Sequence, residues 1–151
     1  MTRAKAADQP AMFSFRLGSP SFEYVLQAMR TNELQQSLLT EWDGHCVAPA
    51  KLAGRAATLH LSAVDELENP EFLKARREHR SLGYIIANKN TVEATVYLPP
   101  RIVLTLLGPK STDSGPLYLS VQCDEYRAGR GYVSSVFIES ERQFWRSAAE
   151  A

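Results

Sequence analysis

Residues 82–98 read Leu-Gly-Tyr-Ile-Ile-Ala-Asn-Lys-Asn-Thr-Val-Glu-Ala-Thr-Val-Tyr-Leu, and their pattern decides the fold class. Val92, Ala94, Val96 and Leu98 alternate with Thr91, Glu93, Thr95 and Tyr97. That period of two is the mark of a strand with one buried face. Leu82 to Ala87 is rich in β-formers, and Asn88-Lys89-Asn90 between the two runs supplies turn residues, so the stretch predicts a β-hairpin.

The same alternation recurs on either side. Phe13, Phe15 and Leu17 lie on one face of a run from Met12 to Leu17. Ala57, Leu59, Leu61 and Ala63 alternate with Thr58, His60 and Ser62, and Leu117, Leu119, Val121 and Cys123 alternate with Tyr118, Ser120 and Gln122. Tyr132 to Ile138 is apolar on both faces and reads as a central strand. Leu38 to Trp42 and His45 to Ala48 flank Asp43-Gly44, a dipeptide suited to a two-residue hairpin turn.

Helical signals are fewer. Ser19-Pro20 has the form of an N-cap followed by a first-turn proline, and Phe22, Val25, Leu26 and Met29 follow at helical spacing, predicting a helix over Pro20 to Arg30. Asn69-Pro70-Glu71 starts a second, charged helix over Pro70 to Ser81. Its acids come first and its bases last, the order that complements the helix dipole. Residues 100–107 combine β-branched side chains with a leading proline and a trailing glycine; the caps favour a short helix. The sum is an α+β domain: a mostly antiparallel sheet of about seven strands with two or three helices, in a single compact domain over residues 11–140. Residues 1–10 read as a loose N-terminal leader and 141–151 as a C-terminal tail of helical character.

Composition narrows the function classes. The chain has 151 residues with 17 Lys+Arg against 17 Asp+Glu, a net charge of zero that supplies no bulk field for nucleic acid or an acidic membrane. The longest apolar runs, such as Ile102 to Leu107, fall far short of a bilayer span, and the first ten residues lack the apolar core of a secretory signal. Cys46 and Cys123, without CxxC spacing, read as reduced buried thiols of a cytoplasmic protein.

Four clusters carry chemistry-bearing side chains. Asp43-Gly44-His45-Cys46 groups possible metal ligands, but the turn accounts for the first two, with His45 expected opposite Trp42 and Cys46 opposite Glu41. His60 lies between Thr58 and Ser62 on a polar strand face and is the one weak catalytic candidate. Lys74, Arg77 and Arg80 form a basic stripe on the charged helix. Asp124 to Gly131 reads as a loop carrying Arg127 and Arg130, with a Gly-x-Gly too short for phosphate binding. Phe144 and Trp145 are large aromatics in a polar tail and need a surface to cover them.

No cofactor or metal motif occurs. The expected function is therefore a non-catalytic protein-interaction module, self-associating as a homodimer. Lys74, Arg77, Arg80, Arg127, Arg130 and Trp145 are its partner-binding residues, with nucleic acid and membrane disfavoured. The alternative is a small hydrolase or nuclease-like enzyme using His60 with nearby acids or arginines.

Overall fold

The computed structural model describes residues 11–64, 82–108 and 115–150. Its strands are β1 (Ala11–Ala28), β2 (Leu34–Ala48), β3 (Ala56–Ala63), β4 (Gly83–Ala87), β5 (Thr91–Leu98), β6 (Leu117–Arg127) and β7 (Arg130–Ser140). Two helices, α1 (Pro100–Leu107) and α2 (Glu141–Glu150), and a 3-10 turn at Ala50–Leu52 complete the described elements. The seven strands close into a barrel in the order β1-β2-β3-β5-β4-β7-β6.

The sheet is mixed, not mostly antiparallel as expected. β5 inserts between β3 and β4 and runs parallel to β3, from Ala56 opposite Thr91 to Ala63 opposite Leu98. Local alternation cannot reveal this, because it reports which face a residue takes and not which strand lies beside it.

Alternation does fix the interior. Phe13, Phe15, Trp42, Leu59, Leu61, Ile85, Val92, Ala94, Val96, Leu119, Val121 and Val133 are fully buried. α1 follows β5 directly and adds Val103 and Leu106 to this core, while Arg101, Leu104 and Thr105 stay exposed. Its start is the expected one: Pro100 occupies the first turn, and the Ile102 amide donates to the Pro99 carbonyl at 3.0 Å. α2 lies outside the barrel, where Phe144 stacks on Tyr118 with ring centroids 4.3 Å apart and is buried by the contact.

Two buried polar links join neighbouring strands. Ser14 and Ser120 hydroxyls meet at 2.8 Å. The Trp42 indole N–H donates to Thr40 Oγ1 at 2.8 Å, and that hydroxyl donates to the Leu61 carbonyl at 2.9 Å. Thr40 thus serves as acceptor and donor at once in a buried position.

Three local expectations are corrected. Residues 20–28 are strand, not helix: Phe22, Tyr24, Leu26 and Ala28 also alternate, and pairing with Leu34 to Thr40 overrides the helical stripe. Pro20 sits at a register shift, where the missing amide does no harm to the ladder. Asp43-Gly44 is no turn but mid-strand, so His45 faces Arg16 and Ala56, and Cys46 faces Phe15. Gly44 is needed for close approach, since a Cβ there would run into the Arg16 carbonyl oxygen. Residues 124–127 continue β6, and the turn is Ala128-Gly129, both at positive φ (53° and 80°), as a tight hairpin requires. The charged helix expected over 70–81 lies outside the described residues.

Beyond the register shift, β1 and β2 leave the barrel. β1 pairs with β6 only as far as Arg16, and β2 meets β3 only from Leu39 onward. Residues 20–28 and 34–38 therefore form a two-stranded arm, turned at its tip by Asn32 with φ 63°.

Replacing Thr40 by Val removes the hydroxyl that meets both Trp42 and Leu61. We expect a loss of about 1–3 kcal/mol in urea unfolding, with Thr40→Ser costing distinctly less.

Candidate functional site

The arm is amphipathic across its width. Cross-strand neighbours share a face, which places Phe22, Tyr24, Leu26, Ala28, Leu34 and Leu38 together, with Gln36 and Thr40. The other face carries Glu23, Gln27, Gln35 and Ser37, with Val25 and Leu39. The apolar face continues the barrel's inner surface past the point where the barrel ends, so its side chains emerge into solvent. Phe22 is 67% exposed, Tyr24 52%, Leu26 56% and Leu34 73%. Between the arm and α1 runs a groove of about 550 Å3, lined on the arm side by Phe22, Tyr24 and Leu38 and on the helix side by Pro100, Leu104 and Leu107. The Tyr24 hydroxyl donates to Gln36 Oε1 at 2.7 Å, so its polar end is engaged while its ring remains open.

A second concavity, of about 650 Å3, lies on the outer wall where β4, β7 and β6 adjoin. Tyr84 pairs directly with Tyr132, Ile86 with Arg130, and Arg127 with Arg130 across the Ala128-Gly129 turn. Irregular register between Cys123 and Tyr126 shapes β6 beside it, and Glu125 lines the cavity. Asp124 is held apart by the Ser134 hydroxyl, which donates to its carboxylate at 3.0 Å.

The sequence-predicted residues scatter. Arg127 and Arg130 come together in the wall cleft, and Arg127 is engaged within the chain. Trp145 is 53% exposed on α2, edge-on to Tyr118 and Phe144. Lys74, Arg77 and Arg80 lie outside the described residues. His60 is half-buried on the outer wall with Glu41 and Thr95 as ladder neighbours, and it lines neither of the two concavities described above. His45 borders a small hollow beside Arg16 and Gly18.

Cys46 and Cys123 are both free and buried. Cys46 points into the barrel and donates to the Ala48 carbonyl at 3.1 Å, away from the outward-facing His45. Burial raises both thiols. For Cys46 the Ala48 hydrogen bond and Arg55 oppose the rise; for Cys123 the neighbouring Asp124 adds to it, taking the thiol to about 11. Among the described residues, no three His, Cys, Asp or Glu side chains gather into a group fit to hold a metal ion. Nor is any described helix long and apolar enough to cross a membrane.

Comparison with protein families, with characterised proteins and with solved structures finds no match. The chemistry must therefore be read from the surfaces themselves. Sequence reasoning missed the arm because a helical stripe and a strand alternation coexist in residues 22–29. It missed the cleft because Tyr84 and Tyr132 become neighbours only through the β4–β7 ladder.

The buried thiols yield a pH expectation. The native Cys123 thiol keeps its proton beyond the ordinary 9.0, up to about 11. The contribution of this thiol to stability is thus intact below about pH 9 and is lost as pH rises toward 11. Denaturant melts at stepped pH should show that decline, and Cys123→Ala should lessen it, with the raised Cys46 thiol leaving a remainder. Both thiols should resist a disulfide reagent at pH 8 until the chain is unfolded.

Proposed function

We propose that this chain is a non-catalytic protein-interaction module that associates with a second copy of itself through the apolar face of the β1–β2 arm. The observation that carries the reading is that face. Six apolar side chains lie contiguous on a ribbon that no other described strand covers. Scattered surface apolar residues are ordinary, but a contiguous amphipathic ribbon is a contact surface.

A second copy is the occupant that the surface suits. The groove between arm and α1 is apolar on both walls, and the arm that borders it presents the same chemistry. A two-fold arrangement lets each arm lie in the groove of the other copy, so one patch serves both sides. Area supports this. Phe22, Tyr24, Leu26, Leu34 and Leu104 are each more than half exposed, so the patch offers on the order of several hundred Å2 toward the ~800 Å2 per partner of a standard interface. The charged residue of the arm, Glu23, lies on the opposite face and stays at the rim.

Sedimentation of the full chain across the micromolar range tests the reading, with a dimer expected. Phe22→Lys with Leu26→Lys should yield a monomer whose melting temperature is close to that of the parent, because neither residue is in the core. A strict monomer at high micromolar concentration sinks the proposal, as does a dimer that survives both lysines.

A further inference from the structure

The wall cleft is independent of the arm, and its composition is specific. The outside of a barrel is convex, yet here it holds a concavity of about 650 Å3, within the roughly 300–1,000 Å3 of small-molecule sites. Its sides are aromatic. Tyr84 is 40% exposed and Tyr132 57% exposed, and the two are direct cross-strand neighbours, so both rings are presented from adjacent positions on one face. Neither belongs to the barrel core.

One end of the cleft is cationic. Arg127 and Arg130 stand directly opposite each other across a two-residue turn. Both side chains are cationic, and an anion placed between them is attracted by each. Arg127 has a partner within the chain, and the exposed Arg130 stands beside it. Paired guanidinium forks match the oxygens of a phosphate in geometry as well as charge. Glu125 also lines the cavity. A carboxylate there can accept a hydrogen bond from a ring amino group and disfavours a ligand carrying a long run of negative charge.

From this arrangement we propose that the cleft binds a nucleoside monophosphate. The base lies against Tyr84 and Tyr132, over the apolar side chain of Ile86, and the single phosphate sits between Arg127 and Arg130. Base–aromatic stacking and charge-assisted hydrogen bonds supply the two halves of the affinity. Phosphate alone leaves the rings unused, and the uncharged nucleoside brings the arginines no phosphate oxygens.

Calorimetric titration of the full chain with adenosine 5′-monophosphate, adenosine and inorganic phosphate separates the halves. The monophosphate should bind, with adenosine and phosphate each at least tenfold weaker. Arg130→Gln and Tyr132→Ser should each weaken the monophosphate about tenfold or more, with an unchanged melting temperature confirming that the barrel is intact. Arg142→Gln, on α2, should change nothing. The proposal is overturned if the parent chain does not bind the monophosphate or if binding survives both cleft substitutions. Phosphate or adenosine binding as tightly as the monophosphate also overturns it. So does a ten-residue single-stranded oligonucleotide that binds far more tightly, which would make the cleft a strand-binding surface. Phe22→Lys with Leu26→Lys should leave monophosphate binding intact, so failure of the cleft and failure of the arm reading are told apart.

Discussion

Closure of the barrel by the β1–β6 ladder is the constraint on which everything else rests. It joins strands far apart in the chain: the Ser14–Ser120 hydrogen bond spans 106 positions at 2.8 Å. Once β1 and β6 pair, no strand of the barrel has a free edge there, and every inward side chain is committed to one interior. The parallel contact of β3 with β5 is part of the same requirement, because it brings β4 beside β7 and completes the ring. Such pairings are non-local, and the loop entropy they consume is recovered only when the interior closes.

The arm is what remains when two strands are longer than the barrel needs. β1 has 18 residues and β2 has 15, whereas β3 and β5 have 8 each, so the excess projects as a ribbon. A two-stranded ribbon is marginal in isolation. This one is anchored where Trp42 and Thr40 enter the core, and its apolar face is the barrel's interior pattern carried beyond the interior. The side chains at Phe22 and Leu34 are therefore exposed by geometry and not by composition.

Much of the fold was legible in the sequence. The alternations in residues 12–17, 57–63, 91–98 and 117–123 each assign the face turned into the barrel, although Ser14, Tyr118 and Ser120 on the opposite face are buried too, and α1 was readable from its proline and glycine. What failed shares one cause: local signals with two physical solutions. Asp43-Gly44 suits a tight turn, but glycine equally suits a crowded strand crossing, and the Arg16 carbonyl decides between them. Phe22 to Met29 satisfies both periods, and the partner strand decides. Strand order and the meeting of Tyr84 with Tyr132 lie beyond any local signal, since neither residue's neighbours in the chain bear on them. Arg127 and Arg130 were readable as a pair of interest, but their face-to-face placement follows from the exact two-residue turn.

The ladder also arranges charge. Asp43 adjoins Thr58, Thr58 adjoins Glu93, Glu93 adjoins Ile86, Ile86 adjoins Arg130, and Arg130 adjoins Arg127, one row running around the outer wall. This row runs from carboxylates on β2 and β5 to guanidiniums on β7 and β6. Close to a charged surface such a row favours presenting one end of this stretch of wall over the other, and added salt weakens that preference.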